Sequence, residues 1–223
     1  VISDDEVVHE ERDGTLYTLK YWADFPIPIA TTRPETKLGD VAVAVHPDDS
    51  RYKDFVGKTY GGDFLGVPLQ IKVVADESVD IEFGTGAVGI TPSHSQTDAE
   101  IALRHNLEGI SVIDEFARIK IGPFQGLKTL EAREKIVEKL REQALLLQEE
   151  SVKINISLAE RSGGVIEPLP KLQWFIAVNK DFRGTSLKEI MRQAVESGKI
   201  KIIPDNFEKI YFNWIDHLRD WCI

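Results

Sequence analysis

Two short polar stretches hold most of the side chains that could do chemistry. The first runs Thr31-Thr32-Arg33-Pro34-Glu35-Thr36-Lys37-Leu38-Gly39-Asp40 and packs three threonines, an arginine and two carboxylates around a proline. It lies between the apolar run Ile27-Pro28-Ile29-Ala30 and the alternating run Val41-Ala42-Val43-Ala44-Val45. Hydroxyls and charges wedged between two buried strands must be satisfied, by a hydrogen-bonded turn or by a ligand. The second stretch runs from Gly84 to Asp98 and ends in Thr91-Pro92-Ser93-His94-Ser95-Gln96-Thr97-Asp98.

Several chemistries can be weighed against these residues. Gly84-Thr85-Gly86-Ala87-Val88-Gly89 matches G-x-G-x-x-G. A dinucleotide site needs a helix to begin there, whereas Ala87 to Thr91 reads as a strand and Pro92 blocks a simple helix. A hydrolase could use Ser95, His94 and Asp98, but adjacent side chains on extended backbone point to opposite faces, so His94 is badly placed to serve Ser95. A metal could recruit His94 and Asp98 with His46 and Asp48, yet no dedicated ligand spacing is present, and no metal site is expected. His94 is equally well read as a hydrogen-bonded loop histidine.

The elements that position these residues can be read from periodicity. Leu16 to Trp22, Val41 to Val45, Leu69 to Val74, Ile81 to Phe83 and Ala87 to Thr91 read as strands, with turns at Gly61-Gly62, Gly66-Val67-Pro68 and Gly84-Thr85-Gly86. Short strands with frequent turns predict a compact, barrel-like β core. Thr97-Asp98-Ala99-Glu100 has capping-box form and predicts a helix to about Asn106, with Thr97 as N-cap and Asp98 in the first turn, where the helix dipole favours negative charge. Leu130, Val137, Leu140, Ala144 and Leu147 predict an amphipathic surface helix whose charged face is solvated. Beyond it, Ile154 to Leu158, Val165-Ile166, Trp174 to Val178 and Lys199 to Ile203 read as strands. Ser186 to Glu189 opens a further helix, and Ile210, Trp214, Leu218 and Trp221 share a helical stripe.

Composition narrows the class. A chain of 223 residues suits one large domain, or one with a small appendage. No apolar run approaches the ~20 residues that span a bilayer, and no secretory leader is visible. The single cysteine, Cys222, excludes an internal disulfide and a multi-cysteine zinc site, which fits a cytoplasmic setting. The net charge of -10 argues against a protein whose main task is gripping nucleic-acid phosphates.

Taken together, the two loops resemble the editing domain of the valyl, isoleucyl and leucyl group of class I aminoacyl-tRNA synthetases, closest to its valyl members. The resemblance is carried by Ala30 to Thr36, Leu38 to Val45, Pro47 to Tyr52, Gly84 to Val88, Thr91-Pro92 and His94 to Asp98. Glu160 to Gly163, Ile166 to Leu169, Gln173 to Phe175, Phe207 to Trp214 and Asp220 to Ile223 extend it over nearly the whole chain. It implies an α+β fold with a β-barrel-like editing core at about residues 12–150 and a return segment at 151–223 that leads back to a catalytic Rossmann domain. The HIGH-type and KMSKS-type signatures of the family are absent. With a first residue of Val1, this suggests an insertion excised from a larger synthetase, unable to activate an amino acid.

The resemblance also implies roles. The activity would be post-transfer editing, hydrolysing the ester of threonyl-tRNA(Val), and threonyl-adenylate as a second candidate, by direct water attack. Asp98 would hold the α-ammonium and Thr91 would position water or the substrate hydroxyl. Thr31, Thr32, Arg33 and Glu35 would form one wall; Phe83, Gly89, His94 and Ser95 would contribute to the other. The implied partners are the 3′ end of tRNA(Val) carrying misattached threonine and the parent catalytic domain. Editing would need no cofactor, ATP being used only by that catalytic domain. Valyl relatives commonly carry lysine at the place of Gly89 and aspartate at the place of Ser95. Gly89 would therefore remove a cation near the pocket. A catalytically weak tRNA-positioning module is the alternative reading.

Overall fold

The computed structural model describes residues 6–222. The chain divides into two units, Val1–Pro170 and Lys171–Ile223.

In the first unit, β1 (Val7–Leu19) pairs antiparallel at its end with β2 (Ile29–Thr31). The central sheet is built on β3 (Ala42–Val45), β4 (Thr59–Phe64), β5 (Val67–Ala75) and β6 (Ala87–Ile90), in the order β4-β5-β3-β6. Strands β3 and β5 run parallel, while β3 and β6 are antiparallel with Val43 opposite Gly89. Two helices follow, α1 (Gln96–Arg104) and α2 (Thr129–Glu142). Then β7 (Leu146–Ala159) returns along the whole of β1, completing the sheet β2-β1-β7.

Strand β3 is buried on both faces, which its run of valine and alanine allows. Val43 and Val45 join the large core with Tyr21, Phe25, Ile29 and Ile136. Ala42 and Ala44 face the other way, toward Ile101 and Ala102 of α1. Small side chains there let the helix approach the sheet.

The second unit is smaller. It pairs β8 (Phe175–Ile176) with β9 (Trp221–Cys222) and packs α3 (Leu187–Glu196) near α4 (Phe207–Asp216) around Val178, Ile215 and Leu218. Among the described residues, no helix is long and apolar enough to cross a membrane.

The α+β class is as expected, although the described strands form separate sheets and close no barrel. The boundary expected at 150/151 falls inside β7. Other expectations need correction. Ile81 to Phe83 is a turn, not a strand, because the Asp80 carboxylate accepts the Glu82 amide at 2.9 Å and holds the chain bent. The N-cap of α1 is Ser95, not Thr97; its extended backbone lets Oγ accept the Asp98 amide. Leu130 is exposed and Leu147 belongs to β7, so the inward face of α2 is Ala132, Ile136, Val137 and Leu140. Lys199 to Ile203 forms no strand, and Ile200 and Ile203 stay exposed. Ile210 and Trp214 are exposed on α4, where Ile215 is the buried residue, and Trp221 lies in β9. Ser186 does cap α3, accepting the Glu189 amide.

Candidate functional site

The two polar stretches face each other across a cleft of about 350 Å³. One wall comes from the end of β2 and the 3-10 helix Pro34–Gly39 that follows it. Pro34 suits the first position of that helix, where no amide is needed, and Thr36 closes the turn by returning its hydroxyl to the Arg33 carbonyl at 2.9 Å. The opposite wall comes from β6 and the start of α1. The Gly84–Gly86 turn runs into β6 with positive φ at both glycines, and no helix begins there.

Of the residues expected in the site, Thr31, Thr32 and Arg33 line the first wall. Phe83, Gly89, Thr91, His94, Ser95 and Asp98 line the second. Glu35 does not reach the cleft. It is fully buried and accepts two hydrogen bonds from Arg133 of α2, at 2.7 and 2.8 Å. One of the charges expected on a solvated helix face is thus bound inward.

Among the described residues, Asp98 is the acid that lines the cleft. Its Oδ2 accepts the Thr91 amide at 2.8 Å, and its Oδ1 accepts the Ser95 hydroxyl at 2.9 Å. The carboxylate is only 9% exposed, and among the described residues it has no ion-pair partner. Two neutral donors leave lone pairs on both oxygens.

His94 lines the cleft with both ring nitrogens occupied. Nε2 accepts the amides of Val112 and Ile113 at 2.8 and 3.3 Å, so Nδ1 carries the proton and donates to the Pro168 carbonyl at 3.2 Å. Burial lowers its pKa, and the nearby Arg33 cation acts in the same direction. A neutral histidine held in this way has no nitrogen left to activate Ser95.

Arg33 is fixed as well. It pairs with Glu167, a residue not anticipated in the site, and donates to the His94 carbonyl at 3.3 Å. Burial pushes the Glu167 carboxyl above its usual range, against the pull of Arg33.

The largest omission from the expected site is Lys37, which is 5% exposed and lines the cleft. Its ammonium donates to the Gly89 carbonyl at 2.7 Å, to Thr91 Oγ1 at 2.8 Å and to Asp40 Oδ1 at 3.1 Å. Asp40 also accepts the hydroxyls of Thr91 and Tyr21. Burial pushes the Asp40 carboxyl up, while the Lys37 ammonium and the two hydroxyls oppose that shift. Gly89 therefore does not leave the pocket wall without a cation. A Cβ at position 89 would collide with Asp40 Oδ2 and Tyr21 Oη, so glycine is what this network permits. The signal in the sequence was the Lys37–Asp40 spacing, since residues three apart share an edge of a 3-10 helix.

Comparison with known proteins identifies the family. The family model described as tRNA synthetases class I (I, L, M and V) matches residues 1–223. The chain is 47% identical to valine–tRNA ligase of Thermotoga maritima, 48% to that of Streptomyces avermitilis and 45% to that of Carboxydothermus hydrogenoformans. Each match covers 100% of this chain and 25% of the relative. The chain spans a quarter of those relatives' length and belongs to the class I tRNA synthetase family (I, L, M and V).

Proposed function

We propose that the cleft is an editing site that hydrolyses the ester of threonyl-tRNA(Val). The observation that carries this reading is Asp98, a nearly buried carboxylate on the wall of an open cleft, held by two neutral donors and, among the described residues, lacking a cation. Leaving such a charge unpaired is costly, and an α-ammonium is a fitting partner. The relatives are valine–tRNA ligases, and threonine is close to isosteric with valine. A hydrophobic pocket rejects threonine only about 100-fold, this amino-acid pair being the standard illustration of that limit. A second site that recognises the hydroxyl overcomes it.

In this reading Asp98 anchors the ammonium and Thr91 meets the hydroxyl of the acyl group or the attacking water. Arg33, Thr31 and Thr32 face the terminal adenosine. Water adds to the ester carbonyl, the acyl C–O bond breaks, and the departing ribose hydroxyl takes up a proton. Free threonine and uncharged tRNA result. No covalent intermediate is required, since the Ser95 hydroxyl is held by Asp98 and the His94 ring is occupied. Threonyl-adenylate carries the same acyl group and is a second candidate substrate. The partners are tRNA(Val) and the catalytic body of a parent synthetase, in the cytoplasm, and the hydrolysis needs no cofactor.

The test is deacylation of threonyl-tRNA(Val) and valyl-tRNA(Val) by the full chain and by the full-length protein. Faster loss of threonine than of valine, abolished in Asp98→Ala, supports an editing site. Background-level loss with both substrates in both proteins leaves a tRNA-positioning module instead.

A further inference from the structure

Lys37 performs no step in the scheme above, yet its surroundings are built with care. An ammonium has three hydrogens, and all three are engaged inside the protein, by Gly89 O, Thr91 Oγ1 and Asp40 Oδ1. Lys37 therefore has none left to offer a ligand. Its influence on the cleft must pass through Thr91, which also lines it.

A threonine hydroxyl has one hydrogen and two lone pairs. The Thr91 hydrogen is directed at Asp40 Oδ1, and one lone pair accepts from Lys37. Tyr21 donates to the other oxygen of Asp40, so the carboxylate receives hydrogen bonds from Lys37, Thr91 and Tyr21. Turning the Thr91 hydrogen away would aim it at the Lys37 ammonium or leave the buried Asp40 oxygen one donor short. The hydroxyl is thus locked in one sense, with a single lone pair free.

From this geometry we infer that Lys37 is a positioning residue: with Asp40 and Tyr21 it makes Thr91 an acceptor-only hydroxyl, which selects an acyl side chain bearing a hydroxyl over one bearing a methyl at the same place. The inference rests on the editing reading of the cleft. A ligand hydroxyl can donate to the free lone pair. A methyl cannot, and it forgoes that hydrogen bond. The arrangement also accounts for Gly89, because any side chain there would displace the Asp40 and Tyr21 groups that complete the lock. An apolar residue in place of Lys37 would fill the volume without the penalty of burying a charge.

The experiment uses two non-hydrolysable probes, 3′-threonylamino-3′-deoxyadenosine and its valyl counterpart. Their affinities for the full chain are measured by calorimetry, so the readout does not depend on turnover. Wild type should prefer the threonyl probe by at least about tenfold. In Lys37→Met the ratio should fall toward one, chiefly through weaker binding of the threonyl probe, and Lys37→Arg should restore part of it. Equal weakening of both probes in Lys37→Met makes Lys37 merely structural and overturns the inference, as does a wild-type ratio of one or no binding of either probe. Should Lys37→Met fail to fold by circular dichroism, Asp40→Asn tests the same lock. Its amide can donate to Thr91 and reverse the hydroxyl; an unchanged ratio overturns the inference. A threonyl preference without hydrolysis of threonyl-tRNA(Val) refutes the editing reading and leaves the role of Lys37 in place.

Discussion

Arg133 grips Glu35 at two points, Nε at 2.8 Å from Oε2 and Nη2 at 2.7 Å from Oε1, beside the first wall of the cleft. The carboxylate is fully buried and the guanidinium about a quarter exposed. Removing one partner strands a charge. Arg133→Met should therefore destabilise the chain by about 3 kcal/mol, the low end for a broken buried pair because water reaches the arginine and Arg33 lies 3.5 Å from Glu35. Adding Glu35→Leu should recover much of that loss. Urea unfolding of the two single variants and the double variant checks this, and purely additive losses would count against the pairing.

Asp98→Asn separates the chemistry from the fold. The asparagine oxygen can still accept the Thr91 amide, and its NH2 can donate to Ser95, so the unfolding midpoint should move by no more than about 1 kcal/mol equivalent. The negative charge, however, is gone. The kcat/KM for threonyl-tRNA(Val) should drop by about 100-fold or more. Similar deacylation by both proteins would remove Asp98 from the site.

How much of this could be read without coordinates differs from residue to residue. The two walls were legible, since threonines, arginine and a first-turn aspartate are sparse polar groups set among buried strands. Strand β3 was legible from its valines. The N-cap of α1 was not, because Ser95 and Thr97 each have an acid three residues later, and only the backbone angles decide between them. Side-chain direction within residues 34–40 was hidden for a similar reason. Read as a loop, the run sends Glu35 and Lys37 anywhere. As a 3-10 helix with a period near three, it puts Lys37 and Asp40 on one edge beside Thr91, while Glu35 turns toward α2. Glu167 lies 134 residues from Arg33, and no local pattern links the two.

Gly89→Ala probes the packing around the buried network. The added methyl meets Asp40, Tyr21 and the Cδ1 of Ile29, and none of these is the loose end of a surface side chain. A loss of about 1–3 kcal/mol is expected, as for overpacking elsewhere in protein cores. Tyr21→Phe removes one of the two oxygens that crowd the intruding methyl. In the double variant the two losses should combine to less than their sum, by at least about 0.5 kcal/mol. Strict additivity would place the strain elsewhere.

His94 predicts a pH dependence whose sign follows from its surroundings. Burial holds the imidazole pKa below its ordinary value; the Pro168 carbonyl opposes this, and the Arg33, Lys120 and Lys37 cations reinforce it. In the unfolded chain the same group takes up a proton near pH 6.5. Above that pH both states are neutral at His94, and its hydrogen bonds to Val112, Ile113 and Pro168 contribute in full. As the pH falls below 6.5 the unfolded state binds a proton first, so stability declines until the folded pKa is reached and then levels off. His94→Gln keeps an acceptor for the two amides but does not titrate. The difference in unfolding free energy between wild type and His94→Gln cancels the carboxylates common to both. It should be largest above pH 7 and shrink toward pH 5, as measured by urea titrations at each pH. A difference that stayed constant would mean that the folded protein accepts the proton as readily as the unfolded chain, and that the ring is not held neutral by the amides of Val112 and Ile113.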